Sequence, residues 1–243
     1  MQTAVSPRLI VALDTPTLSQ ALHLVEQLLP LGVIFKVGYE AYYAFGPALL
    51  NEIEACGAEL FLDLKLHDIP RTAAAAMRAI MRPGLGIVTV HAMGGFEMMR
   101  AVVEAAEIVA QERSLRVPAI FGVTILTSIA EITLPELGFM GGIGENVVRL
   151  AALARNAGCA GVVCSAHESA DLKAFFGHDF QALCPGIRPA GAAGGDQQRI
   201  ATPTSAIGAG ADYLVVGRPI TQASDPFAAA QAILTEMRSL VPG

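Results

Sequence analysis

The sequence predicts an α/β fold, a single-domain (β/α)8 barrel of the TIM type over residues 1–243, on three observations. Short β-branched runs alternate with longer Ala-rich and Leu-rich amphipathic stretches, the pattern of parallel strands joined by helical crossovers. Eight such runs fall within 243 residues, close to the ~250 residues typical of eight βα units. No linker or shift in composition marks a second domain, at a length below the ~250 to 300 residues where a single core stops growing.

Taken in order, the first run is Leu9 to Asp14, stopped by Thr15-Pro16-Thr17 and followed by an amphipathic helix over Leu18 to Leu29. Val33 to Val37 is the second run. Glu59 to Leu66 is the third, and its second half alternates apolar and charged residues; a helix over Thr72 to Met81 follows. Gly86 to His91 precedes a helix over Phe96 to Glu112. Ala119 to Thr124 leads into a long connection, Ser128 to Gly144, and then a helix over Glu145 to Ala157. Gly161 to Ser165 and Ala182 to Pro185 are the sixth and seventh runs. Pro189 to Arg199, with its Gly-Ala-Ala-Gly-Gly core, suits a mobile lid. Tyr213 to Gly217 is the eighth run, and Asp225-Pro226 opens the last helix, to Leu240, as an N-cap followed by proline at the first helical position. A doubly wound open sheet competes, but the turn after the first strand has no GxGxxG, so a dinucleotide site there has no support.

Hydrophobic residues make up 53% of the chain and charged residues 16%, which rules out disorder. The net charge of −6 argues against nucleic acid or an anionic membrane as partner, since both require a basic face to neutralise phosphates. Any anionic ligand must meet a local basic site. No apolar stretch reaches the ~20 residues of a bilayer span, and Met1 to Arg8 lacks a secretory pattern, so a soluble cytoplasmic chain is expected. Cys56, Cys159, Cys164 and Cys184 show no CxxC spacing and read as buried, reduced thiols. The cations divide into thirteen Arg and three Lys. Lys36 and Lys65 fall on strands beside carboxylates, whereas Lys173 reads as an ordinary lysine.

In a barrel the chemistry gathers at the C-terminal ends of the strands. There the sequence places Asp14, Lys36, Asp63, Lys65, Asp68, Thr127 and Gly217-Arg218. Asp63 and Lys65 are two apart and share one face of a strand, whereas Asp68 lies where the strand gives way to a turn and can serve a neighbouring subunit. Alone, DxKxxD reads as a surface ion pair; the strand context and Lys36 on the preceding strand favour a site. His67 is expected to shape the turn beside Asp68. His91, at the end of the fourth strand, reads as a hydrogen-bonded core histidine. Met93, Met98 and Met99 read as helix packing, and Tyr39, Tyr42 and Tyr43 as packing or subunit contact.

The segment Asp63-Leu-Lys65-Leu-His-Asp68-Ile69-Pro70 resembles the signature of the orotidine 5′-phosphate decarboxylase family, bacterial type. Val11-Ala12-Leu13-Asp14, Phe35-Lys36-Val37-Gly38, Leu126-Thr127-Ser128, Pro185-Gly186-Ile187-Arg188, Gln197 and Val215 to Thr221 match it in order. One departure is visible: Arg71 stands where the family usually has Asn, although Asp68 and Thr72 are retained.

The resemblance implies conversion of orotidine 5′-monophosphate to UMP and CO2, the last step of de novo pyrimidine nucleotide synthesis, with no metal and no organic cofactor. It implies a catalytic array of Lys36, Asp63, Lys65 and Asp68. Loss of CO2 from a ring carbon without an adjacent electron sink leaves a poorly delocalised carbanion, so the site must stabilise negative charge electrostatically. Lys65 would do so and then supply the proton. By the same resemblance Asp14, Lys36 and Asp68 hold the ribose, and Thr127 the pyrimidine. Arg188, Gln197, Gly217 and Arg218 hold the phosphate. Asp68, Ile69 and Thr72 reach a partner's site in a homodimer. The rivals are a Mg²⁺-dependent sugar-phosphate enzyme sharing DxKxxD, and a non-catalytic nucleotide-binding barrel.

Overall fold

Alternation of inward and outward side chains along eight strands decides how this chain closes. The computed structural model describes residues 7–189 and 199–239. Strands β1 (Arg8–Ala12), β2 (Ile34–Val37), β3 (Leu60–Leu66), β4 (Leu85–His91), β5 (Ala119–Val123), β6 (Gly161–Val163), β7 (Gln181–Cys184) and β8 (Tyr213–Val216) pair in parallel in chain order. The sheet closes because β1 pairs β8, Arg8 to Val11 lying opposite Tyr213 to Val216. The predicted (β/α)8 barrel is therefore the observed architecture, with strand ends within one or two residues of those read from the sequence.

Period-two alternation sorts the apolar residues into two cores. Ile10, Ile34, Phe61, Ile87, Phe121 and Leu183 point inward and fill the barrel axis. Val11, Phe35, Leu62, Val88, Val162 and Leu214 point outward, against the surrounding helices. These are α1 (Leu18–Leu28), α2 (Tyr39–Ala55), α3 (Pro70–Ile80), α4 (Gly95–Arg113), α5 (Ile143–Asn156), α6 (Ala166–Phe176), α7 (Pro203–Gly208), α8 (Arg218–Thr221) and α9 (Pro226–Arg238). Thr17 caps α1 by accepting from the Gln20 amide, and Asp225 caps α9 by accepting from Ala228 ahead of Pro226. Among the described residues no helix is long and apolar enough to cross a membrane.

Four helices escaped the sequence reading: the short α7 and α8, and the longer α2 and α6. Helix α2 breaks at Gly46 (φ 55°) ahead of Pro47, so its apolar period is interrupted midway. Helix α6 carries Glu168 and Lys173 among its buried residues, which blurs an amphipathic pattern. The Ser128 to Gly144 connection folds into two short 3-10 turns, Glu131–Thr133 and Pro135–Leu137, anchored by buried Leu134. All but the ends of the Pro189 to Arg199 connection lies outside the described residues.

Three readings need correction. Cys56 is exposed at the end of α2, and only Cys159, Cys164 and Cys184 are buried. Burial pushes the Cys159 thiol up to about 12. Met93 sits 49% exposed in the turn before α4, while Met98 and Met99 pack as expected. Lys173 is not an ordinary lysine. It is buried, and its Nζ donates to Asp212 Oδ2 at 2.7 Å, Phe180 O at 2.9 Å and His178 O at 3.1 Å. Asp212 also accepts from the Ala182 amide of β7 at 2.7 Å, so the pair ties α6 to the starts of β7 and β8 at the barrel's N-terminal end.

Breaking such a pair leaves a buried charge without compensation. Lys173→Met is therefore expected to lower the unfolding free energy by about 3 kcal/mol, read as a reduced urea midpoint at unchanged slope. An unchanged midpoint would return Lys173 to the surface.

Candidate active site

The strand ends meet in one cleft of 610 Å³. Asp14, Lys36, Asp63, Lys65, Thr127, Arg188, Gly217 and Arg218 all line it. Its centre is charged because the inward faces of β2 and β3 turn polar toward their ends: Lys36 of β2 follows Ile34, and Asp63 of β3 follows Phe61.

The centre is a chain of ion pairs. Lys65 Nζ donates to Asp63 Oδ1 at 2.9 Å, Lys36 Nζ lies 3.6 Å from Asp63 Oδ2, and Asp14 Oδ1 lies 3.7 Å from Lys36 Nζ. Burial would raise the Asp63 carboxyl, but the Lys36 and Lys65 ammoniums and the hydrogen bonds from Lys65 and Thr89 outweigh it and hold the group below the ordinary carboxylate value. Gly38 follows β2 for a steric reason: a Cβ there would lie 2.9 Å from Lys36 Nζ and 3.6 Å from Asp14 Oδ1.

Strand alternation predicted the shared face of Asp63 and Lys65, yet the backbone is not a regular strand there. Leu62 pairs Val88 and Leu66 pairs Val90, so three residues of β3 stand opposite one of β4. Lys65 occupies the left-handed region at φ 42°. Its amide donates to Thr89 Oγ1 at 3.0 Å, and the Thr89 hydroxyl donates to Asp63 Oδ1 at 2.9 Å. Thr89 is a site residue that the sequence reading missed; its one available signal was its inward register, two residues before His91.

The phosphate candidates line the same cleft from the ends of β7 and β8. Gly217 follows β8 and precedes Arg218 at the start of α8. Arg188 follows β7, with its amide donating to Ala201 O at 2.9 Å. Arg199 pairs with buried Glu168 and donates to Ile125 O at 3.3 Å and Leu126 O at 3.1 Å, beside Thr127. Gln197 lies outside the described residues.

Asp68, Ile69 and Thr72 do not join this cluster within one chain. All three are exposed beyond β3, and the Asp68 carboxylate accepts its neighbour Ile69's amide at 2.7 Å. His67 stacks on His91, with ring centroids 5.0 Å apart. The sequence reading of His91 as hydrogen-bonded fails: its Nδ1 is buried without a partner among the described residues. Burial, His67 and Lys65 lower the His91 imidazole to about 4, so it is neutral near pH 7. Tyr39 proves more than packing, since Lys65 Nζ sits 5.5 Å from its ring centre. Tyr43, its ring tilted by 32° against that of Tyr39 with centroids 5.7 Å apart, is 78% exposed.

Comparison with known proteins agrees with this fold. The model of the Orotidine 5′-phosphate decarboxylase / HUMPS family matches residues 7–233. Orotidine 5′-phosphate decarboxylase of Halorhodospira halophila is 51% identical over 231 residues, covering 95% of this chain and 96% of that protein. The enzyme of the same name from Vibrio cholerae is 46% identical over 233 residues, covering 96% and 97%. The crystal structure of Orotidine 5′-phosphate decarboxylase from Lactobacillus acidophilus superposes with a TM-score of 0.84 at 37% identity, covering 95% of this chain and 99% of that one. With a family model matched along nearly its whole length and relatives near half identical over almost their full extent, this chain belongs to the orotidine 5′-phosphate decarboxylase / HUMPS family.

Proposed function

We propose that this chain decarboxylates orotidine 5′-monophosphate to UMP and CO2, as the last step of de novo pyrimidine nucleotide synthesis in the cytoplasm, without metal or organic cofactor. One observation carries the reading: the Asp63 carboxylate is held between the Lys36 and Lys65 ammoniums in a cleft that Arg188, Gly217 and Arg218 also line. A cleft of 610 Å³ suits a mononucleotide.

Arg188, Gln197, Gly217 and Arg218 take the 5′-phosphate, the guanidinium forks matching its oxygens. Thr127 meets the pyrimidine. Asp14, Lys36 and the Asp68 of a second copy hold the ribose. This seats the substrate carboxylate near Asp63, whose own charge disfavours the bound carboxylate and favours its departure. The bond from C6 to the carboxylate breaks, CO2 leaves, and the electron pair remains on C6. The Lys65 ammonium stabilises that pair and donates its proton to C6, and the neutral amine is reprotonated from solvent. Arg cannot replace Lys65 in this task because its proton is held too tightly.

The homodimer belongs to the same proposal, because the resemblance puts Asp68 in the array and Asp68 does not line its own chain's cleft. Asp68, Ile69 and Thr72 are exposed and do not line their own cleft, and Tyr43, Ile69 and Met93 add exposed apolar side chains. Ile69 is 61% exposed, unusual for an isoleucine beside a charged site. Each copy would then lend these residues to the other's site.

Two experiments test the reading. Purified protein given orotidine 5′-monophosphate in EDTA should release UMP and CO2 at the rate seen without chelator, and Lys65→Ala should lose roughly 10³-fold or more in kcat. Abolition by EDTA would favour the Mg²⁺-dependent sugar-phosphate reading, and full turnover by Lys65→Ala would remove Lys65 from the mechanism. Mixing inactive Asp68→Ala and Lys65→Ala subunits should restore about one working site per hybrid dimer. No recovery after demonstrated subunit exchange would contradict shared sites.

A further inference from the structure

We infer that Thr89 is a positioning residue for Lys65, acting through one buried hydroxyl shared between the Lys65 backbone and the Asp63 carboxylate. The inference rests on the reading of Asp63 and Lys65 as the groups beside the reacting carbon.

The β3 bulge creates the need. Because Asp63, Leu64 and Lys65 together stand opposite Thr89, the ladder between β3 and β4 cannot serve every amide in that stretch. Lys65 also adopts φ 42°, one of only two non-glycine residues with positive φ among those described. A residue with a Cβ is disfavoured there, so something nearby must hold it.

Thr89 is built to do so. Its side chain points into the barrel from β4 between Ile87 and His91, and the residue is 0% exposed. Donor and acceptor roles are settled by chemistry. The Lys65 amide can only donate, so Thr89 Oγ1 accepts from it at 3.0 Å. The ionised Asp63 carboxylate can only accept, so the single hydroxyl hydrogen points at Oδ1 at 2.9 Å. Lys65 Nζ donates to that same Oδ1, also at 2.9 Å. A closed circuit results: the Lys65 backbone is bound to Thr89, Thr89 to Asp63, and Asp63 to the Lys65 ammonium. The circuit couples the strained backbone, which sets where the side chain leaves the strand, to the place where its ammonium ends.

Serine at this position would keep the circuit. Valine would keep the volume and break both bonds. Valine would also leave the Lys65 amide buried without an acceptor, free to relax toward an ordinary strand conformation.

The test compares Thr89→Val, Thr89→Ser and wild type for turnover of orotidine 5′-monophosphate, with crystal structures of all three. Thr89→Val should lower kcat by ~100-fold, the scale of a roughly 1 Å misplacement. KM should stay within about threefold, because the phosphate and ribose contacts are untouched. Thr89→Ser should restore most of kcat. In the Thr89→Val crystal structure Lys65 should leave positive φ, or its Nζ should separate from Asp63. A kcat near wild type in Thr89→Val overturns the inference, as does a Lys65 that keeps its conformation without the hydroxyl. Equal loss in both variants with a matching loss of stability would also overturn it, in favour of a purely structural threonine. If wild type itself fails to turn over the substrate, the function reading falls, and the Lys65 geometry in the Thr89→Val crystal still decides whether the hydroxyl holds that residue.

Discussion

The buried carboxylate of Asp63, held between two ammoniums, is the constraint on which the rest of the site depends. A carboxylate inside a barrel is costly unless it is paired and hydrogen-bonded. Here Lys36 comes from β2, Lys65 from the same strand, and a hydroxyl from β4. Three adjacent strands must keep their register for one anion to be satisfied. The glycine after β2 leaves room for the Lys36 ammonium, and the bulge in β3 re-aims Lys65.

The barrel supplies that register through its two cores. Inward residues fill the axis up to the level of Ala12 and Phe61, and only above them does the interior turn polar. Outward residues seat the helices. At the opposite end, Lys173 and Asp212 join α6 to the starts of β7 and β8, the strands whose far ends carry Arg188 and Arg218. Charge is thus confined to the two ends of an apolar cylinder, with chemistry at one end and a structural pair at the other.

Much of this was legible in the sequence, for reasons that can be named. Eight β-branched runs separated by amphipathic stretches specify a closed parallel barrel, because each run needs both faces covered. Asp14, Lys36, Asp63, Lys65, Thr127, Gly217 and Arg218 could be placed at one mouth because strand ends are where polar residues interrupt apolar alternation, and Arg188 was placed there by the family resemblance. What could not be read depends on tertiary neighbours. Lys173 looks like any surface lysine until Asp212, thirty-nine positions away, folds against it. Thr89 looks like an ordinary strand threonine because the bulge it faces lies in another strand. The left-handed backbone of Lys65 has no local signal, since lysine carries no preference for it. Cys56 ends a helix whose kink at Gly46 hides its amphipathic period.

The proposed roles of Arg188, Gly217 and Arg218 toward phosphate, of Thr127 toward the pyrimidine and of the charged centre toward the reacting carbon predict one arrangement of ligand. The most direct measurement is a crystal structure of the chain with UMP bound. The phosphate is expected against Gly217, Arg218 and Arg188, the pyrimidine against Thr127, and C6 facing the Lys65 ammonium beside Asp63, with Asp68 arriving from a second copy. UMP seated with its phosphate elsewhere, or with C6 turned away from Lys65, would contradict the central role of the Lys36, Asp63 and Lys65 cluster.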